Sequence, residues 1–419
     1  MTAAARKPAP ATRPDARARI LTAATAIFLR DGFAGASVDA VAAAARMSKL
    51  SIYELFPSKD ALFEASVRHA FGAGYQAPPR DATSGDIADM LRDIGTWFFA
   101  RFIDPVNFGL FCANIVAASH FPDLASELHL HRLRASQAIA DDLQIWVDRG
   151  TLRAGDSWIA ALRFGGLCVE GSRYFLGAAP PSRKERAAIV ARAAALFLNG
   201  YAAAGTGQFV DAAPVPAPAL PSTATSRMSP DRLGALLRAA TDEFLANGYR
   251  GASIDRIVGA VRASRTTIYR QFGSKDGLFR FIVEQAIHDA AQELYPAAPG
   301  LDPEEDLAAL ALEVLDRHCT ADNIRLQRLL IQEADLIPDL ARHYYDVKVA
   351  RLGNALAAIL ERHRLPLPDP AMSRAFHALA TFALRYLTDA TLPDAAQRRR
   401  DAREAGQLFL RGLSGRTAD

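Results

Sequence analysis

Sliding the 419-residue chain along itself by 216 positions aligns two segments without a gap, residues 20–63 with residues 236–279, and 22 of their 44 positions are identical. The same offset returns where Phe121-Pro122-Asp123-Leu124-Ala125 meets Ile337-Pro338-Asp339-Leu340-Ala341. Near the ends, Leu196-Phe197-Leu198-Asn199-Gly200 meets Leu408-Phe409-Leu410-Arg411-Gly412 at an offset of 212, so the second copy is four residues shorter late in the unit. A period this long is far beyond the 20–50 residues of a solenoid repeat. The chain must therefore fold as one domain duplicated. Residues 205–229 separate the copies, and Pro214, Pro216, Pro218 and Pro221 alternate there with small residues. Such a run favours an extended, semi-rigid linker, able to span about 75 Å at roughly 3.1 Å per residue.

Composition narrows the class. Half the residues are hydrophobic, enough for sizeable cores, yet no stretch of about 18 uncharged apolar residues exists, so no membrane span is expected. A net charge of +3 excludes a protein that coats nucleic acid by bulk charge and leaves room for local basic patches. Three cysteines, Cys112, Cys168 and Cys319, do not make a disulfide scaffold and suit a reducing cytoplasm, the expected location. The N-terminal arm is basic without a following apolar run and does not read as a secretory signal. No P-loop, dinucleotide glycine fingerprint or Gly-x-Ser-x-Gly is present. His120, His129 and His131 cluster without a second ligand group at metal spacing. The expectation is no enzyme, no metal and no cofactor.

Each copy begins with a helical pattern. Ile20, Ala24, Ile27 and Phe28 fall on one helix face, as do Leu233, Leu237, Ala240 and Phe244. Gly32 and Gly248 supply the left-handed residue that ends that helix. Ser37 and Ser253 are N-caps for a second helix, Ser48 and Ser264 for a short third, Ser58 and Ser274 for a fourth. This is a helix-turn-helix with a long exit helix. Ile52 and Phe56, four apart, face the domain core. Lys49, Leu50, Ser51, Tyr53 and Glu54 are left for a major groove, and in the second copy Arg265, Thr266, Thr267, Tyr269, Arg270 and Gln271. Arginines there can take phosphate or guanine, and threonines phosphate or a thymine methyl. Glu54 repels phosphate but can accept from cytosine N4. Lys59 and Lys275, at the head of the fourth helix, suit phosphate contact, as do the amides at the N-termini capped by Ser37, Ser48, Ser253 and Ser264. Residues 227–279 carry nine basic and five acidic side chains, residues 12–63 seven and five, so the second copy is the stronger reader.

Ser-x-x-x-Ile-Tyr-x-x-Phe-x-Ser-Lys-Asp-x-Leu-Phe, at 48–63 and again at 264–279, follows a Phe-x-x-x-Gly-[Phe/Tyr] helix end in both copies. This signature resembles the TetR family of bacterial transcriptional regulators. The segments FPDLASELHLHRLRASQAIADDL and IPDLARHYYDVKVARLGNALAAIL resemble the ligand and dimerisation region of its AefR-like branch. The first copy departs from the family pattern at Leu50, where a small residue is usual, at the acidic Glu54, and at Leu55, where His or Tyr is usual.

Beyond residue 64 of the first copy, and at the matching place in the second, the pattern is long amphipathic helices. The expected fold is therefore all-α: two homologous units, each an N-terminal helix-turn-helix domain plus a helical ligand-binding and dimerisation bundle. The expected division is a disordered basic arm 1–13, helix-turn-helix domain 14–74, bundle 75–204, Pro-rich linker 205–229, helix-turn-helix domain 230–290 and bundle 291–419. Candidates for lining a pocket are Trp97, Phe111, Trp146 and Phe164 in the first bundle and His318, Tyr345, Phe376 and His377 in the second. The last helices of each unit, 156–177 with 184–203 and 370–388 with 393–413, are where the resemblance places pairing. Gly165, Gly166 and Gly171, and Ala375, Ala378 and Ala380, would permit close approach. The resemblance implies a DNA-binding regulator, read as a repressor relieved by a small apolar effector. Its partners are then a double-stranded DNA operator, asymmetric because the heads differ, and the effector, with no membrane. Two related patches on one chain point to a monomeric pseudo-dimer in preference to a homodimer. The alternative is a helical protein–protein module in which one or both helix-turn-helix units no longer bind DNA.

Overall fold

The computed structural model describes residues 13–74, 85–153, 155–201, 229–261, 263–292, 295, 302–382, 385–388 and 392–414. The arm up to residue 12 and linker residues 205–228 lie outside the described residues. Unit one comprises α1 (Arg13–Gly35), α2 (Val38–Ala45), α3 (Lys49–Leu55), α4 (Lys59–Gly74), α5 (Ile87–Phe102), α6 (Pro105–His120), α7 (Pro122–Asp148), α8 (Ser157–Cys168) and α9 (Arg183–Tyr201). Unit two comprises α10 (Pro230–Gly251), α11 (Ile254–Val261), α12 (Arg265–Phe272), α13 (Lys275–Gln292), α14 (Pro303–His318), α15 (Ala321–Gln332), α16 (Pro338–Arg362), α17 (Pro370–Thr381), the single turn α18 (Arg385–Thr388) and α19 (Ala395–Ser414). The fold is all-α, and no β-strand occurs among the described residues.

The first turns form for local reasons. Ser48 Oγ accepts the Ser51 amide at 3.0 Å and Ser264 Oγ the Thr267 amide at 3.1 Å. Ser37, Ser58 and Ser274 cap their helices the same way. At Ser253 the carbonyl accepts the Ile257 amide, while its own N–H donates to Glu243. Gly32 (φ 67°, ψ 172°) and Gly248 (φ 64°, ψ 174°) bend α1 and α10. Their φ is positive as expected, but ψ is extended, a combination open essentially to glycine alone. Ile52 and Ile268 are fully buried, and Phe28, Phe33, Phe63 and Phe121 form an edge-to-face ring cluster with centroids 5.0–5.1 Å apart along its closest pairs.

The two units pack on each other through α8 and α9 of one and α17 and α19 of the other. The close approach occurs at Gly200 and Gly412. A Cβ on Gly200 would lie 2.9 Å from the Leu408 carbonyl oxygen and against the Leu408 side chain; one on Gly412 would lie 3.0 Å from the Leu196 carbonyl and against the Leu196 side chain. The two contacts are the same contact seen from each unit, since 196 and 408, like 200 and 412, differ by 212. Phe164 on Phe197 (5.1 Å) and Phe376 on Phe409 (4.9 Å) repeat at the same offset. Of the residues expected to permit the approach, Gly171 does meet the other unit, where a Cβ on it would lie 3.7 Å from that of Ala378. Gly165 faces Phe98 of its own unit, and Gly171 (φ 69°), with Glu170 (φ 50°), breaks the expected helix 156–177 after Cys168. Phe382 (φ 49°) likewise ends α17 before residue 388.

Valine at Gly200 or Gly412 should destabilise the chain by about 1–3 kcal/mol, the usual cost of overpacking a tight contact. Urea midpoints of the two variants, compared with a valine at exposed Gly259, check it.

Candidate nucleic-acid interface and ligand region

The reading helices α3 and α12 bury one side and present the other. Leu50 is 70% exposed, Tyr53 41% and Tyr269 47%, so the tyrosines lie open to solvent and do not seal the core. Lys49, Glu54, Arg265, Thr266 and Arg270 are exposed beside them, with Ser51, Thr267 and Gln271 half-buried. A cap and an ion pair fix each helix. Ser48 and Ser51 hydroxyls meet at 2.8 Å, those of Ser264 and Thr267 at 2.9 Å. Lys49 Nζ lies 3.0 Å from Asp39, and Arg265 pairs with Asp255, both pairs in the same positions 216 apart. Each carboxylate holds its basic partner above its ordinary pKa, chiefly through the hydrogen bond. Both pairs stand in water, where such contacts are weak and a phosphate can compete.

Lys59 and Lys275 are placed differently from the other candidates. Lys275 Nζ donates to the carbonyls of Ala252 (3.1 Å) and Arg250 (3.4 Å) and stands 4.7 Å from the centre of the Tyr249 ring. Lys59 Nζ stands 4.8 Å from the Phe33 ring. Burial lowers the pKa of both. Their ammonium groups thus close the bend after Gly32 and Gly248. The surface charge of the two heads differs most at one register position, where Glu54 in α3 corresponds to Arg270 in α12.

The eight pocket candidates do not share one site. Trp97 is half-buried under Arg101, and Trp146 Nε1 donates to Met90 Sδ with Arg149 over the ring. Phe164 lies edge-on to Phe197 and Phe376 to Phe409, each pair within its own unit, in a core that runs across both. Phe111 joins an aromatic cluster in unit one with Phe102 and Phe175. His318, Tyr345 and His377 come together in unit two, Tyr345 edge-on to His377 at 5.8 Å. The side chains of His120 and His131 lie outside the described residues, and among the described ones no group of three or more His, Cys, Asp or Glu is arranged to hold a metal ion.

A cleft of about 730 Å³ lies elsewhere, between the units. Phe33, Phe108 and Phe175 line one wall, Tyr249, Arg250 and Glu333 the other, and none of the eight candidates lines it. Glu333, buried at the end of α15, accepts the Tyr249 amide at 3.0 Å and a Gln332 Nε2 proton at 3.2 Å. Burial pushes its carboxyl pKa up. This acid ties bundle two to its own reading head.

A second buried acid ties the units together. Glu170 Oε1 accepts from Arg374 Nε at 2.6 Å, and Oε2 from Arg173 at 2.5 Å and the Tyr174 hydroxyl at 3.1 Å; its backbone carbonyl accepts from Tyr345 at 3.0 Å. Burial alone would raise its pKa, but Arg374 and Arg173 outweigh that and hold it below the usual carboxylate range. Arg163, buried in α8, reaches Glu404 at 3.0 Å and lies over the Phe382 ring. These residues escaped the sequence reading because their partners lie about 200 positions away.

The model of the bacterial regulatory proteins of the tetR family matches residues 20–66 and 236–282, and that of the AefR-like transcriptional repressor C-terminal domain matches 89–203 and 305–412. The chain belongs to the TetR family, with two copies of both domains. The HTH-type transcriptional repressor SCO4008 of Streptomyces coelicolor is 31% identical over 141 residues, 32% of this chain and 69% of that protein. A TetR-family regulator from Mesorhizobium loti (22% identity, TM-score 0.39) overlays 46% of this chain and all of its own. One from Agrobacterium tumefaciens (21%, TM-score 0.40) overlays 45% of this chain and 94% of its own.

Because the Glu170 pKa is depressed in the folded chain, its contribution to stability is complete above the unfolded value of about 4.3 and is lost as pH falls through the folded one. Glu170→Ala should cost about 3 kcal/mol at pH 7, leaving two arginines unpaired. Glu170→Gln should flatten the acid limb of the stability–pH curve. Urea titrations from pH 7 down to 3 test both.

Proposed function

We propose that this TetR-family chain is a cytoplasmic, sequence-specific transcriptional repressor acting as a single-chain pseudo-dimer, whose unlike heads read an asymmetric operator and are released by a small effector. The observation that carries the reading is the pairing within one chain. α8, α9, α17 and α19 already cover one another, so a reading helix of each kind is supplied without a second copy. In the groove, Leu50, Ser51, Tyr53 and Glu54 meet one half-site and Thr266, Thr267, Tyr269, Arg270 and Gln271 the other. Lys49 and Arg265 exchange their carboxylate partners for phosphate. Amides at the capped N-termini add phosphate contacts. A monomer of 45.2 kDa on DNA follows, where a symmetric homodimer would weigh about twice that. The domain division 14–74, 75–204, 230–290 and 291–419 is the functional one in this reading: two heads on two bundles. Release works by population shift, the effector favouring a head spacing that no longer fits successive major grooves.

Selection of random duplex DNA by the purified chain near physiological salt tests this directly. One enriched site with two unlike halves is expected, its affinity falling steeply with salt through counterion release. A palindrome would mean that like heads of two chains pair, and no enrichment would favour the protein–protein module. Arg270→Ala should weaken the selected site about 5- to 150-fold, corresponding to about 1–3 kcal/mol per base contact. Glu54→Gln reports on the first head: it changes affinity, and base preference at one position of its half-site, only if α3 lies on DNA. An unchanged binding profile would remove unit one from the reading.

A further inference from the structure

The two bundles place different chemistry at matching positions. At the 216 offset, Phe102 corresponds to His318, Phe111 to Gln327 and Leu128 to Tyr344. In unit one the rings fill the space. Phe102 is buried with its centroid 5.1 Å from Phe175, 5.7 Å from Phe111 and 6.0 Å from Phe108, and Phe108 stacks on Phe175 at 4.5 Å. In unit two the same region, between α14, α15, α16 and α17, is polar. His318, 3% exposed, has Nδ1 3.2 Å from Gln327 Nε2; with that amide as the donor, the imidazole carries its own proton on Nε2. Among the described residues that buried Nε2–H has no partner, and neither has Nδ1 of His377, itself 7% exposed. Lys348 stands close by, its ammonium on Asn323 Oδ1 (3.0 Å) and the Tyr344 hydroxyl (3.4 Å). Burial and this cation keep both imidazoles neutral, pushing His377 down to about 3. Of the carboxylates on the surrounding elements, Glu170 is committed to Arg374 and Arg173 and Asp401 to the Tyr386 hydroxyl and Gln397.

Two buried imidazoles with an unmet nitrogen each, beside an ammonium and flanked by the rings of Tyr345 and Tyr386, are a costly arrangement unless something anionic completes it. We infer that the effector site survives in unit two alone, that it takes a small organic acid with its carboxylate toward His318 and Lys348, and that phenyl rings have closed the matching site of unit one. The inference rests on the effector-released reading and replaces its apolar effector with an acid. Its stoichiometry is one per chain. A carboxylate accepts the His318 proton and shares the Lys348 charge, while the aromatic or aliphatic body packs on the tyrosines.

The test is calorimetric titration of the full-length chain with sodium benzoate, and with benzamide as the neutral isostere. Expected are one benzoate per chain at millimolar affinity and at least tenfold weaker benzamide. Histidine NMR signals of His318 and His377 should move on addition of benzoate while those of solvent-exposed His69 stay. His318→Phe, which installs the residue of unit one, should abolish binding, and Lys348→Met should weaken it at least tenfold, with helicity and melting retained in at least one variant. Two benzoates per chain, equal binding of benzamide, or no benzoate binding each overturn the inference. Benzoate that binds at His318 without changing operator affinity would leave the site standing and remove effector release. Absence of benzoate binding with operator recognition intact would do the reverse.

Discussion

Everything in this molecule hangs on the contact between α9 and α19, where backbone meets side chain with no room for a Cβ at Gly200 or Gly412. A contact made twice about an approximate two-fold axis is what a homodimer of such a domain would make once per copy. Here it is intramolecular, so its formation does not depend on chain concentration. Glu170 reinforces it from the side. One buried carboxylate holds two arginines from different units, and its own backbone carbonyl receives Tyr345. Such a network is worth little as a source of net stability, because desolvation offsets most of the Coulomb gain. It is worth more as a register device, since only one relative placement of the units satisfies all four donors.

Once the pairing is internal, the halves are released from being alike. In a symmetric dimer, any change to the reading helix appears in both half-sites at once. In this chain Glu54 and Arg270 occupy the same register with opposite charge, and in the bundles Phe102 and His318 share one register as an apolar ring and a polar one. The positions kept identical are those that geometry demands: Ser48 and Ser264 as caps, Ile52 and Ile268 beneath the reading helix, Gly32 and Gly248 at a backbone conformation open only to glycine. Exposed positions of the reading helices, the tyrosines apart, and several that fill the bundles have diverged.

That division also explains what could be read from the chain in advance. Caps, core faces and the bend glycines depend on neighbours within a turn or two, and their spacing is written twice. The pocket candidates fared differently, because an aromatic at helical spacing looks the same whether it joins a ring cluster of its own bundle, as Phe111 does, or the core that runs across both units, as Phe164 and Phe376 do. Lys59 and Lys275 stand at the head of a helix where phosphate contact is the natural expectation. Only the fold reveals that carbonyls of Arg250 and Ala252 and the rings of Phe33 and Tyr249 lie within their reach. The break at Glu170 and Gly171 was hidden in an apolar, glycine-rich run with no proline to mark it. The repeated Leu-Phe-Leu-x-Gly was visible as repetition, yet nothing local assigns its glycine to an opposing helix 200 residues away.

The same asymmetry gives the bundles unequal access to the heads. In unit two, Gln327 and Glu333 lie on and just beyond α15, six residues or about 9 Å apart along the axis. The first holds His318 and the second holds the Tyr249 amide, immediately after the bend at Gly248. A group that pulls on His318 therefore acts on the same rigid element that anchors the second reading head. In unit one the position of Glu333 is occupied by Ala117, which has no carboxylate to offer, and the head meets its bundle through Phe33 and Phe121, ring against ring, and through an exposed Arg68–Glu127 pair at 2.7 Å. A hydrogen bond to a backbone amide is directional and is either made or broken, whereas packed rings slide with small loss. On the effector-released reading we propose, the coupling of ligand to DNA is carried by unit two, with unit one supplying a fixed reference against which its partner head moves.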